Sequence, residues 1–418
     1  MSWTKLHLRV ETPLFNGDGD QTSAQVRVSS IRGGMHFWLR AMAGVFARKD
    51  PNALRRIENY VLGSTESASP IRLRIPQQPE HSTDPFPEFM SRDARDSRNK
   101  WIGYLLGPGL TSWESADKVR NLPGASKITR AFVPPGEEFD LWVKLIGLDT
   151  DAHTVAVGAL WMSLVFGGVG ARTRRGFGGV RILEADGPAL AGWGSDSLRT
   201  PNLEFFRKTK HLWFTGEMAG PVMGALRSVA ERVEAGSLDG STSTPSFPVL
   251  SKVNTIAGVT GGGAFYDWIG TLKFGGEKLR RFRATEDAPH VSYQPRIKTR
   301  EWLEVIHDER RDDFRLGGLG LPIVFKNHTE VHANSGTGEE SEKLRRASPL
   351  WLRAVGEGDE WRLFSFAFLD EFLPQDRSVS VNLWLGEGNS KKQDRQLEVT
   401  TEDSHAWVRR WVKKMADS

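Results

Sequence analysis

The stretch GGVGARTRRGFGG, Gly167–Gly179, lies between a run with helical periodicity and the strand-like VRILEA at 180–185. It holds six glycines and three arginines, Arg172, Arg174 and Arg175, in thirteen residues. Glycine lets a backbone take positive φ and approach a partner closely. Arginine presents a planar fork that pairs with phosphate two bonds at a time. Together they describe a loop that wraps a polyanion; a Gly-rich turn with solvated arginines is the alternative. No Gly-Lys-Ser/Thr follows, so the spacing is not that of a nucleotide P-loop. Nor do the glycines open a helix after a strand, as a dinucleotide site requires. Here the helix comes first and the strand second.

The helix before the loop is expected at 151–166, capped by Asp149–Asp151 and burying Val155, Ala159, Met162 and Phe166. Strands are expected at 127–133 and 138–147, joined by a turn at Pro134–Gly136, and at 71–75. Residues 3–12 alternate, with Thr4, Leu6, Leu8 and Val10 on one side, which describes a strand with one buried face. Next, VSSIRGGMHFWLRAMAGVFARKD predicts a helix with Ser29 or Ser30 as its N-cap. Met35, Leu39, Met42 and Phe46 form its buried stripe, and Trp38 goes to the core. Arg32, His36 and Arg40 form a second stripe, about a quarter-turn away and at the rim of the packed face. A short helix begun by Pro51 is expected at 51–62. The order is strand, helix, strand, strand, helix, strand. That is the split βαβ, ferredoxin-like arrangement of the α+β class, and RNA-recognition domains share its four-stranded sheet.

Beyond this unit the pattern loosens. Residues 76–100 read as a polar insertion loop rather than core, and 186–202 as a linker. A helix is expected at 218–235, a strand at 247–259, and a partly helical, basic segment ending in Lys278, Arg280, Arg281 and Arg283. A charged helix at 299–313, a glycine turn entering a strand at 317–325 and a flexible loop at 331–342 follow. Further strands then lead to a terminal amphipathic helix with Trp407, Trp411 and Met415 on one face.

A chain of 418 residues has room for two domains, 1–190 with the loop at 167–179, and 200–418. Net charge is only +4, so a polyanion site must come from local clustering of arginine. The absence of cysteine excludes disulfides, thiolate metal sites and cysteine nucleophiles, and fits a cytoplasmic protein. No apolar run suits a signal peptide or a membrane span. Asp18 and Asp20 read as turn chemistry rather than a metal site.

Several of these segments resemble the RAMP superfamily of CRISPR effector subunits. They are TPLFNGDGD (12–20), SSIRGGMHFWLRAM (29–42), FGGVGARTRRGFGG (166–179), GLGLPIVF (318–325) and RRASPLWLR (345–353). Within the superfamily the series is most similar to the first subunit of the type III-B Cmr module. The resemblance implies two ferredoxin-like, RRM-like domains with insertions, in a subunit at one end of a ribonucleoprotein backbone. It implies contact with the 3′ part of a guide RNA, with the matching end of a target RNA and with other Cmr-module RAMP subunits. A nuclease site, metal or cofactor is not implied, and sequence would be read by guide–target pairing. Carried over by position, the RNA-contacting residues are Arg32, Arg172, Arg174 and Arg175; His36 and Arg40 join them through the helix stripe. Gly168, Gly170, Gly176 and Gly178 would let the backbone follow the strand.

Two catalytic alternatives stand beside this reading. One is a RAMP endoribonuclease that processes repeat RNA through the RNA's own 2′-OH, with His36 or His7 as general base. The other is a metal hydrolase using His328 and His332, whose i, i+4 spacing would suit a helix. A structural bridge without RNA contact would leave the three loop arginines dispensable.

Overall fold

The computed structural model describes residues 2–17, 19, 21–47, 50–93, 95–117, 124–212, 219–236, 243–285, 302–307, 311–325, 329–336, 342–373, 379–387 and 390–418. The first half runs β1 (Thr4–Val10), α1 (Val28–Ala43), α2 (Pro51–Leu62), β2 (Ile71–Arg74), α3 (Ser97–Leu106), β3 (Thr111–Glu114), β4 (Ala125–Ile128), β5 (Glu138–Leu145), α4 (Thr150–Met162) and β6 (Val180–Asp186). Two short helices, α5 (Ser195–Leu198) and α6 (Leu203–Lys208), lead to α7 (Ala219–Arg232), β7 (Thr255–Val259) and α8 (Trp268–Thr285). The remainder is β8 (Ile323–Val324), β9 (Glu330–Ser335), β10 (Glu342–Leu344), β11 (Leu350–Glu357), β12 (Glu360–Phe368), β13 (Val379–Glu387), β14 (Ser390–Leu397) and α9 (Thr401–Ala416).

The expected fold class is observed. The first sheet has the order β2-β5-β1-β6 with every neighbouring pair antiparallel. With α1 between β1 and β2, and α4 between β5 and β6, this is the ferredoxin-like order. Thr4, Leu6, Leu8 and Val10 of β1 are buried, while Lys5, His7 and Arg9 are half-buried on the other face, as period-2 alternation requires.

The second module repeats the plan with one strand fewer. β7, α8, β11, β12 and α9 follow one another, and the strands lie in the order β11-β12-β7. No fourth strand joins this sheet among the described residues. Two insertions, β8–β10 before β11 and β13–β14 after β12, pair with each other into a separate sheet in which β9 lies beside β13. The modules share elements: α3 packs on α8 and α7 packs on α4. One apolar cluster spans both, joining Trp38 and Phe166 to Trp351, Phe364, Phe366 and Phe368. Trp351 stacks on Phe366 with ring centroids 5.4 Å apart; such pairs add about 0.5–1.5 kcal/mol beyond burial.

Several local expectations need correction. α1 starts at Val28 with no side-chain cap, because the Ser30 hydroxyl donates to Asn16 Oδ1 at 3.0 Å instead. Residues 76–100 are not a solvated loop. Phe89 and Met90 are buried, and Asp96 caps α3, whose polar first turn disguises the buried Trp101, Ile102, Leu105 and Leu106. The segment 186–202 is packed rather than a free linker, with Leu190, Trp193 and Leu198 buried. Of 247–259, only Thr255–Val259 is a strand.

In place of a charged helix at 299–313, Trp302–His307 form a π-helical turn and 311–313 are not helical, the rest lying outside the described residues. In place of a flexible loop at 331–342, residues 330–335 form the largely buried β9, where Glu330 pairs with Lys343 and Asn334 with Asn382, while 337–341 lie outside the described residues. His332 therefore stacks on Trp384 at 5.0 Å in a strand, not on a helix. Its supposed partner His328 lies outside the described residues, as do Asp18 and Asp20. The terminal helix packs its aromatic face inward, with Trp407, Trp411 and Met415 buried. Among the described residues no helix is long and apolar enough to cross a membrane.

Candidate nucleic-acid interface

The loop at 167–179 begins where α4 passes into a π-helical turn, Ser163–Gly167, and Gly168 reverses the chain at φ +80°. It then runs against the segment that follows β1. Ala171 N donates to Phe15 O at 2.7 Å, Gly178 N to Pro13 O at 2.9 Å and Gly179 N to the Thr12 hydroxyl at 2.8 Å. The tip closes on itself through Arg175 N to Arg172 O at 2.8 Å, and Arg172 takes the left-handed φ of +63°. Leu352 N of β11 donates to Arg174 O at 3.2 Å, which docks the tip onto the second module.

The glycines are demanded by this chain's own packing. A Cβ on Gly170 would stand 2.5 Å from Phe15 O, and one on Gly168 2.7 Å from Gly178 O. On Gly178 it would overlap Val169 O, and on Gly176 the Leu272 side chain. All four have positive φ.

The three loop arginines go to two places. Arg172 and Arg175 line a cleft of about 930 Å³ between the end of α3, the β3–β4 hairpin, the 319–324 turn and the segment entering β11. Arg283, Arg345 and Arg346 complete five arginines in a lining that holds no carboxylate among the described residues. Arg346 is neutralised from behind by Asp370 at 2.7 Å, and Arg283 donates to the Tyr104 hydroxyl at 3.0 Å. Arg172, Arg175 and Arg345 form no ion pair with a carboxylate among the described residues. Burial pushes the Arg175 guanidinium down to about 10, with Arg283 and Arg172 pushing the same way. Arg172 is also lowered by desolvation. Both stay charged at neutral pH, and cations held among cations without a counter-ion set up a positive potential that attracts anions. Trp113, 65% exposed, stands on the rim as a stacking surface.

Arg174 turns away from the cleft. Its guanidinium lies 4.8 Å from the Trp351 ring centre and 5.8 Å from that of Phe37, and donates to Ser348 O. Desolvation takes it to about 10 as well.

The α1 stripe is brought together, but against α2 rather than the cleft. His36 Nδ1 lies 2.6 Å and Arg40 Nη1 2.8 Å from Glu58 Oε1. Burial pushes the Glu58 carboxyl up, but the hydrogen bond from His36 and the charge of Arg40 outweigh it, so its pKa is lowered. Arg32 donates to the carbonyls of Leu62 at 2.8 Å and Ile71 at 3.2 Å, closing the C-terminus of α2. His7 is on the opposite sheet face, 3.0 Å from Asp140 and 2.8 Å from Glu138. The Asp140 hydrogen bond raises its pKa most. Among the described residues no group of three or more His, Asp or Glu could hold a metal ion.

Sequence reasoning missed the cleft's other residues. Arg283 stood in the basic end of α8 and Arg345 and Arg346 in the RRASPLWLR motif, so a signal existed for those three. Trp113 and Tyr104 carried none, because only folding brings α3 and the β3–β4 hairpin to the loop.

Residues 7–181 match the RAMP superfamily. The chain is 30% identical over 362 residues to the CRISPR system Cmr subunit Cmr1-1 of Pyrococcus furiosus, covering 86% of this chain and 85% of that protein. It is 27% identical over 178 residues to Cmr1-2 of the same organism, covering 42% of this chain and 92% of that one. The crystal structure of apo Cmr1 from P. furiosus aligns with a TM-score of 0.47 at 20% identity, over 90% of this chain and 91% of that one.

Proposed function

The chain belongs to the Cmr1 family of the RAMP superfamily, and from that premise we propose that it is a non-catalytic RNA-binding subunit of a type III-B CRISPR ribonucleoprotein. In this reading it works in the cytoplasm beside other Cmr-module RAMP subunits. It holds the 3′ part of the guide RNA and the matching end of the target RNA. The single observation that carries the reading is the cleft: five arginines, no lining carboxylate among the described residues, and an exposed tryptophan at the rim. Cations track a phosphate backbone and an aromatic face accepts any base, which is how a protein holds a strand whose sequence is read by pairing. Arg172 and Arg175 contact phosphates directly, and Arg174 supports the tip between them. Arg32, His36 and Arg40 act at most at the edge, since Glu58 and the carbonyls of Leu62 and Ile71 already engage them.

The test is a titration of labelled single-stranded RNA carrying a CRISPR repeat and spacer with the full chain and with its Arg172/Arg174/Arg175→Ala variant. A salt-sensitive shift without cleavage, lost in the variant, is expected. Cleavage within the repeat, abolished by His36→Ala or His7→Ala, would replace this reading with a processing endoribonuclease.

A further inference from the structure

Beside Thr173 lies a second pocket of about 280 Å³, which shares no lining residue with the cleft. Its walls include Asn16, Phe37, Trp38, Ser163, Thr173 and Trp351. Phe37 and Thr173 are half-buried and mark its mouth, whereas Asn16, Ser163 and Trp351 are 6%, 1% and 5% exposed. Three buried polar atoms on these walls have no hydrogen-bond partner among the described residues: Asn16 Nδ2, Ser163 Oγ and Trp351 Nε1. Ser30 holds Asn16 Oδ1 at 3.0 Å, so the amide's donor end is the end left over. Each buried polar group left unpaired costs about 1–3 kcal/mol, and native chains rarely tolerate several together. The pocket is built for an occupant that brings acceptors.

The walls narrow the choice. Three aromatic side chains favour a planar ligand, and the volume sits just below the roughly 300 Å³ at which drug-sized sites begin. The bare backbone of Gly167, Gly168 and Gly170 forms part of the lining. Gly34 lets α1 meet the Ser163 hydroxyl, which occupies the place of a Cβ. Two wall groups, the Asn16 amide and the Trp351 indole, can only donate at the unpaired atom, and the Ser163 hydroxyl can do either. Uracil offers two carbonyl acceptors either side of one N–H; cytosine has one carbonyl, and adenine has none, its acceptors being ring nitrogens.

Position supplies the last step. Arg172 and Arg175 face the cleft, Thr173 faces the pocket and Arg174 lies on Trp351 at the boundary. We propose that the pocket receives one unstacked pyrimidine base, preferentially uracil, from an RNA strand whose phosphates lie in the arginine cleft. The proposal rests on the cleft being an RNA site and adds a base-selective position to it.

The experiment uses the full chain and two single-stranded probes of equal length, oligo-U containing 4-thiouridine and oligo-A. Oligo-U is expected to bind about tenfold more tightly, the discrimination of one good base-edge pairing, and to crosslink to peptides containing Phe37–Trp38 or Trp351. Asn16→Asp keeps the acceptor used by Ser30 and removes the free donor. It should abolish the preference for oligo-U over oligo-A, with an unchanged urea midpoint reporting that the fold is kept; Ser163→Ala, which adds no charge, should do so in part. Equal affinity for both probes, with crosslinks confined to Tyr104 and Trp113, would overturn the pocket and leave the cleft standing. Failure to bind either probe would overturn both readings together.

Discussion

On α1, Arg32, His36 and Arg40 stand beside acceptors that α2 and the start of β2 supply, whereas on the loop at 167–179 Arg172 and Arg175 face a cleft with no lining carboxylate among the described residues. Both regions carry clustered basic side chains. On α1 one carboxylate, Glu58, engages two of the three, and backbone carbonyls take the third. On the loop the charge is left standing at a cost that desolvation registers in the Arg175 guanidinium, lowered to about 10, and in the lowered Arg172. A fold that leaves cations half-buried and uncompensated gains stability when an anion arrives. One that has compensated them gains little, since exchanging a carboxylate for a phosphate is nearly even. The proposed binding surface is the place where the internal charge balance fails to close.

The largest effect should come from removing the uncompensated charges. Arg172→Ala with Arg175→Ala removes two charge-assisted contacts worth about 1.5–3 kcal/mol each, raising the Kd for single-stranded RNA by roughly 10²–10⁴-fold. It should also flatten the slope of log K against log salt by about 2. Arg32→Ala with Arg40→Ala should change that slope by less than about 1. Fluorescence anisotropy across a salt series measures both, and equal slope changes would erase the distinction between the regions.

Glycine divides the two regions as well. Gly178 has φ +67° and its missing Cβ is replaced by Val169 O; Gly33 on α1 has nothing within 4 Å of that position. Gly178→Ala should cost about 3 kcal/mol or more, combining left-handed strain of roughly 1–2 kcal/mol with backbone displacement. Gly33→Ala should stabilise by up to about 1 kcal/mol through helix propensity. Denaturant unfolding of both variants decides it. An unchanged midpoint for Gly178→Ala would return the loop glycines to RNA approach alone.

The fate of these regions could be read only partly from the chain. Period-2 alternation in β1 and the apolar stripes of α1 and α4 place the ferredoxin-like core, because burial of one face is a local, periodic demand. Charge compensation is not local. Glu58 lies 22 positions from His36, and nothing in the spacing of either residue says that α2 will bring them together. For the same reason β9 looked like a flexible loop. Its run Glu-Val-His-Ala-Asn-Ser is polar, and only cross-strand neighbours such as Lys343 for Glu330 and Asn382 for Asn334 make its burial tolerable. The cleft assembles from six separated stretches of chain, so its arginines were visible singly and its shape was not.

The smallest effect concerns the compensated side, and its sign is fixed by Glu58. Burial raises that carboxyl's pKa, but His36 and Arg40 lower it further, so the folded value lies below the ordinary 4.5. A group whose pKa is depressed by folding contributes stability above its unfolded pKa and loses it as pH falls through the folded one. Stability should therefore decline as pH drops below about 4.5, and Glu58→Gln should remove that part of the decline. At neutral pH the variant should cost about 1 kcal/mol, because His36 and Arg40 are 31% and 45% exposed and solvent screens the lost pairs. Urea midpoints for both proteins at pH 3.5 and pH 7 measure this. The same variant sharpens the comparison with the loop. With Glu58 neutral, Arg40 has lost its ion-pair partner. If RNA passes the α1 rim, affinity should rise by about 0.3–1 kcal/mol, the range of one exposed ion pair. If RNA keeps to the cleft, Glu58→Gln should leave affinity untouched while still losing stability, and the stripe's role is to hold α1 against α2.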